Sequence, residues 1–199
     1  MALEARALGE QPVVARLVFL LEEPSMRYCL EGLLPRLAPD LEYVLVPHEG
    51  KQDLEKSIPT KLRGWKYPED QFVIVRDQDS GDCVTIKEDL VHLCQEVGKE
   101  PALVRIACRE LESWFLGDLA AVEQATKTKN LAKLQGKQSY RDPDRLGSPS
   151  QELKRLVSGY SKTRGARDIG KVLSLEGNTS KSYRVFVSGI RRVVDQLPQ

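Results

Sequence analysis

The residues best suited to chemistry are carboxylates placed directly after apolar runs. Glu22 and Glu23 follow Leu17-Val18-Phe19-Leu20-Leu21, Asp77 and Asp79 follow Phe72-Val73-Ile74-Val75, and Glu110 and Glu112 follow Leu103-Val104-Arg105-Ile106-Ala107. The stretch Asp77-Gln78-Asp79-Ser80-Gly81 is an i, i+2 pair leaving a strand through a Gly-containing turn, which can aim both carboxylates at one point. Hard oxygen ligands without histidine or cysteine nearby favour Mg2+ or Mn2+ over zinc. Such a cluster is costly without a cation, because like charges at short range raise one another's pKa.

Each acid also has a plainer reading. A lone aspartate after a strand is commonly a turn former or helix cap, and Asp82 fits that description. Glu23, Glu31 and Glu88 read as surface charges. Arg109 adjoins Glu110 and Glu112 and has two roles open to it, a contact to a phosphate oxygen or a salt bridge to those acids. Glu22 is harder to dismiss, since a solvated loop does not require an acid behind an apolar run.

Other chemistries are poorly served. The four cysteines, Cys29, Cys83, Cys94 and Cys108, lack CxxC spacing, and His48 and His92 are the only histidines, so no zinc site is expected. The cysteines are expected to be reduced. No GxxxxGK[ST] loop, no GxGxxG after the first strand and no GxSxG occurs. ATP hydrolysis by this chain alone, dinucleotide chemistry and a serine-nucleophile site are therefore not expected.

The elements that must position the acids are legible in the hydrophobic periods. Four apolar runs, at 15–21, 43–46, 72–75 and 103–107, predict buried strands. Helical spacing predicts helices between them: one capped by Ser25 and ending near Pro35, one over 51–62 weakened by Pro59, one closed by Gly98, and one over 110–124. Strands alternating with helices argue an α/β fold with a parallel four-stranded sheet flanked by helices. In such sheets ligands bind beyond the carboxyl ends of the strands, where these acids stand. After residue 126 the strand signal ends. Short helices are expected at 150–157 and 166–175, and a longer one at 181–197. The expected organisation is an α/β domain over 1–126 and a basic α-helical C-terminal extension over 127–199 packed on it.

Charge follows the same division. Net charge is +1, yet residues 1–126 hold 14 Lys+Arg against 23 Asp+Glu, a net of −9, and residues 127–199 hold 16 against 6, a net of +10. An acidic half suits cation binding and a basic half suits a polyanion, unless the halves neutralise each other across an internal interface. Lys162, Arg164 and Arg167, flanking Gly165 in an expected loop, are candidate phosphate or nucleic-acid contacts. Trp65 and Tyr67 are aromatic neighbours of Arg63 and Lys66, placed either to stack on bases or to cover a loop. Hydrophobic residues make up 41% and charged residues 30%, as in a globular chain. No apolar run reaches the ~18 residues of a membrane span, and the Met1–Gln11 flank is unlike a signal or transit peptide. The expected location is the cytoplasm.

Glu22 after the first strand and Asp77-Gln78-Asp79-Ser80-Gly81 after the third resemble the Toprim fold of topoisomerases, primases and overcoming-lysogenization-defect nucleases. Over nearly its full length the chain resembles the bacterial Toprim-like family known as domain of unknown function 4276 (DUF4276). The resemblance rests on Leu21-Glu22-Glu23-Pro24-Ser25, Arg76 to Cys83, Tyr160 to Arg167 and Ser182 to Phe186. Its most specific part is Arg109-Glu110-Leu111-Glu112-Ser113-Trp114. One departure stands out. The glycine that usually follows the Toprim glutamate is Glu23 here, and Met26 stands where an acid often follows. Loss of that glycine narrows the approach of a phosphate backbone to the strand end.

The resemblance implies a metal-dependent site. In a nuclease reading, Asp77 and Asp79 hold Mg2+ (or Mn2+), Glu112 completes the shell, and Glu22 is a general acid/base or second-metal ligand. Asp82 and Glu110 are additional candidates, and Arg109 is a phosphate contact. The metal polarises the phosphodiester and activates water. The resemblance also implies nucleic acid as substrate and an ABC- or SMC-type ATPase as partner, in a defence or DNA-processing system. Two alternatives stand beside it: a non-catalytic Toprim-like module that binds the ATPase, and a phosphohydrolase of small nucleotides.

Overall fold

The computed structural model describes residues 15–197. The Met1–Gln11 flank lies outside them. The elements in chain order are β1 (Leu17–Leu21), α1 (Pro24–Leu37), β2 (Tyr43–Pro47), α2 (Lys51–Gly64), β3 (Gln71–Asp77), α3 (Cys83–Gln95), β4 (Leu103–Ala107), α4 (Glu112–Leu116), α5 (Leu119–Thr126), α6 (Gln138–Arg141), α7 (Pro149–Leu156), α8 (Lys162–Gly170) and α9 (Lys181–Asp195).

The four strands form one parallel sheet in the order β2-β1-β3-β4, with Leu21 opposite both Pro47 and Val75, and Asp77 opposite Ala107. Side chains alternate between faces with the strand period of two. Leu17, Phe19, Leu21, Val73 and Val75 enter one core, which they share with α1, α4, α5, α8 and α9. Val18, Leu20, Phe72, Ile74 and Val104 enter a second, filled by Leu54, Ile58 and Leu62 of α2 and Ile86, Leu90 and Cys94 of α3. Apolar residues on both faces of the central strands explain why the sequence reads as continuous runs. Among the described residues, no helix is long and apolar enough to cross a membrane.

Local chemistry moves several boundaries. Pro24 starts α1, where its missing N–H costs nothing, so Ser25 lies inside the first turn and Glu23 precedes it in extended conformation. Pro35 and Pro59 are both accommodated inside helices. The helix expected over 110–124 is broken into α4 and α5 at Gly117-Asp118. Asp118 caps α5 through the N–H of Ala121 at 3.0 Å, and a Cβ on Gly117 would stand 2.8 Å from Ser180 N. The loop expected around Gly165 is instead the helix α8. Its Ala166 and Ile169 are fully buried, and it packs closely on α1: a Cβ on Gly32 would approach Lys171 N to 2.6 Å. Trp114 is wholly buried, its ring 4.9 Å from Phe186 and 5.5 Å from Tyr183, with Nε1 donating to Ser182 Oγ at 3.0 Å.

Candidate metal centre

The parallel order brings the ends of β1, β3 and β4 to one carboxyl edge. Glu22 is the first residue past β1 and Asp77 the last of the neighbouring β3. The main-chain N–H of Asp77 donates to Glu22 Oε2 at 2.9 Å, and the N–H of Gly50 donates to the Glu22 carbonyl at 2.9 Å. Glu112 enters from the start of α4. Exposure is 8% for Glu22, 3% for Asp77 and zero for Glu112. Taking three acids this deep out of water disfavours their charged forms. Burial raises the carboxyl pKa of all three. Asp77 is pushed well up by burial and then by Glu22, Glu23 and Glu112, and Glu112 is pushed up to about 7 by burial, against the pull of Lys162. Glu22 is raised by burial, which outweighs the N–H of Asp77.

Two cations from the chain approach these acids, Arg76 from β3 and Lys162 from the C-terminal half. Lys162, first residue of α8, lies 2.7 and 2.9 Å from the carboxylate oxygens of Glu23. Burial pulls its ammonium down, but Glu23, Glu112 and Asp77 more than offset that and leave its pKa raised. Tyr160 donates its hydroxyl to Glu112 Oε1 at 3.3 Å. Glu23, expected on the surface, is thus a structural part of the centre. Even so, Asp77 Oδ1 and Glu112 Oε2 are buried with no hydrogen-bond partner. Orphaned carboxylate oxygens in a hard-oxygen setting match the donor chemistry of a divalent ion.

Asp79 stands near enough to Glu22 to raise its pKa. It adopts φ 54° and Arg109 φ 64°, both left-handed, and the two are interlocked: Asp79 N donates to the Arg109 carbonyl at 2.8 Å, and Arg109 Nη1 donates to the Asp79 carbonyl at 3.2 Å. Arg109 therefore holds the β3 loop through its backbone instead of bridging Glu110 or Glu112. The Asp79 carboxylate meets Lys51 Nζ at 3.4 Å. As they stand, no three His, Cys, Asp or Glu side chains among the described residues are grouped to hold a metal ion.

The remaining candidates lie apart. Asp82 caps α3, accepting from Val84 N at 3.0 Å and Thr85 N at 2.9 Å. Glu110 accepts from Ser150 N at 2.7 Å at the start of α7. Arg164 is highly exposed and 3.7 Å from Asp168, while Arg167 lies over the Tyr28 ring at 4.1 Å. Trp65 donates to Asp70 and packs edge-on against Phe72, and Tyr67 lies under Arg16.

Sequence reasoning did not single out Arg76 as a buried partner of the acids. It is buried on β3, its Nη1 2.6 Å from Glu55 Oε1 and its Nε 3.8 Å from Glu22 Oε2. The signal was an arginine behind four apolar strand residues, since a buried guanidinium requires a partner. No spacing rule links Glu23 to Lys162.

Comparison with known proteins fits this geometry. The family model described as "Domain of unknown function (DUF4276)" matches residues 21–191, which spans every acid of the centre and Lys162. The chain belongs to the DUF4276 family. A solved structure, the C-terminal region of the Burkholderia pseudomallei OLD protein, superposes on this DUF4276 chain with a TM-score of 0.51. The two are 17% identical over 90% of this chain and 98% of that one. That likeness is one of fold, and the fold is Toprim-like. No curated protein matches the DUF4276 chain in sequence.

Proposed function

We propose that this DUF4276 chain is a Mg2+- or Mn2+-dependent nuclease or phosphotransferase subunit that acts on nucleic acid. The observation that carries the reading is the pair of orphaned oxygens, Asp77 Oδ1 and Glu112 Oε2, buried at the carboxyl edge beside Glu22. Asp77 and Glu112 would hold the ion, joined by Asp79 once it leaves Lys51. A divalent ion bound there supplies charge stabilisation for a phosphodiester and a nucleophile at neutral pH. Glu22, its pKa raised by burial, is suited to hold and return a proton at the same edge or to ligate a second ion there. Lys162, beside Glu23, can meet a phosphate oxygen. The basic helices after residue 126 offer non-specific phosphate contacts, and an ABC- or SMC-type ATPase in a defence or DNA-processing system is the partner that suits the family resemblance.

A second reading has its own support. Because Glu23 replaces the usual glycine and binds Lys162, the chain supplies a cation to its own acids, which suits a non-catalytic module that binds the ATPase. Incubating the purified chain with single- and double-stranded DNA and RNA in Mn2+ separates the readings. The nuclease cleaves polymer, and Asp77→Asn abolishes cleavage. The interaction module cleaves nothing, is indifferent to that change and co-purifies with an ATPase. Turnover of mononucleotides alone would mark a phosphohydrolase.

A further inference from the structure

Arg76 is a strongly basic group buried beside Glu22, with 7% exposure, and its guanidinium lies between two carboxylates. Its Nη1 is bonded to Glu55 of α2 at 2.6 Å. Its Nε, by contrast, points toward Glu22 Oε2 at 3.8 Å, too far for a hydrogen bond, and is left without any partner. A buried guanidinium N–H short of an available carboxylate is unusual. Glu22 meanwhile spends Oε2 on the Asp77 N–H and keeps the rest of its capacity free.

From this we propose that Glu55 and Arg76 form a positioning pair that sets the cation affinity of the Glu22 site: Glu55 restrains Arg76 from neutralising Glu22. The inference rests on the metal-centre reading above and adds to it two residues outside the cluster of acids. With Glu55 in place, Glu22 is open to an external ion. Without it, the guanidinium closes onto Glu22 and takes the ion's role, as an internal competitor.

The consequence is a pair of opposite effects, which loss of packing cannot imitate. Binding of Mn2+ to the purified chain, read from the loss of the free-ion electron paramagnetic resonance signal, needs no enzymatic activity. Glu55 is half-exposed on its helix, so Glu55→Gln should fold normally, and it should weaken Mn2+ binding roughly tenfold, the scale of one charge moved near a divalent ion at an effective dielectric of about 20. Arg76→Gln should tighten binding by a similar factor, Arg76→Lys should stay near wild type, and Glu55→Gln should have no further effect once Arg76 is Gln. Circular dichroism melts establish that each variant is folded. If wild type binds Mn2+ and Glu55→Gln is unchanged, or if Arg76→Gln weakens binding, the positioning pair is refuted while the metal centre stands. If wild type and Arg76→Gln both fail to bind Mn2+, the metal centre falls and the pair falls with it.

Discussion

Lys162 Nζ and the carboxylate of Glu23 meet at 2.7 and 2.9 Å across 139 residues of chain. The pair joins the start of α8 to the turn between β1 and α1 and carries the ammonium up to Asp77 and Glu112. Replacing Lys162 by Met keeps most of the stem and removes the charge. The acids then lose their internal counterion. Because the pair is partly solvated, the expected loss is between that of a surface and a buried ion pair, on the order of 1–2 kcal/mol at pH 8. Added Mg2+ should restore more stability to Lys162→Met than it adds to wild type. Urea melts with and without Mg2+ decide this, and equal responses would count against shared occupancy of one charge position.

Glu112 gives a pH dependence of definite sign. Burial raises its pKa from 4.5 to about 7, so the folded state binds its proton more tightly than the unfolded state. Its contribution to stability is present below pH 4.5 and is lost as pH rises to about 7. The upper scale of that loss is on the order of 3 kcal/mol. Glu112→Gln, which cannot ionise, should flatten the fall in melting temperature over this window. Divalent-ion binding should strengthen with rising pH across the same range, with release of a proton. A wild-type profile unchanged by Glu112→Gln would refute the assignment.

Asp79 and Asp82 sit three residues apart and should behave differently. Asp82 satisfies the first N–H groups of α3, and its pKa is lowered by Thr85 N–H and hydroxyl contacts. Asp82→Ala should cost about 1 kcal/mol of stability, as for loss of a helix cap, and leave Mn2+ binding intact. Asp79→Asn should do the reverse. Denaturant melts paired with Mn2+ titration test both, and a binding defect in Asp82→Ala would return that residue to the metal shell.

Much of this molecule was legible before its structure. The four strands fell where apolar runs predicted them, because both faces of a covered parallel sheet demand apolar side chains. Glu22 and Asp77 were correctly placed at one edge, since strand ends are marked by the change from apolar to acidic residues. The misreadings have local causes. Gly165 suggested a loop, yet that glycine lies in α8, where a Cβ would collide with the Tyr160 ring. The uninterrupted apolar spacing of 111–122 concealed the Gly117-Asp118 break, which tertiary contacts to Asn178 and Ser174 impose. Glu23 looked like a surface acid because its partner is far along the chain. Arg76 was passed over because only the α2 packing shows that Glu55 holds it.

The order of assembly has a consequence for synthesis. The acids emerge from the ribosome early, while the lysine that pairs with Glu23 and the helix that carries it follow at least 50 residues later. A nascent chain ending before α8 would hold Asp77 and Glu112 without their counter-charge and leave the α1 surface uncovered. Emergence of α8, more than folding of the sheet, is therefore the event that brings the lysine's charge to the acidic edge.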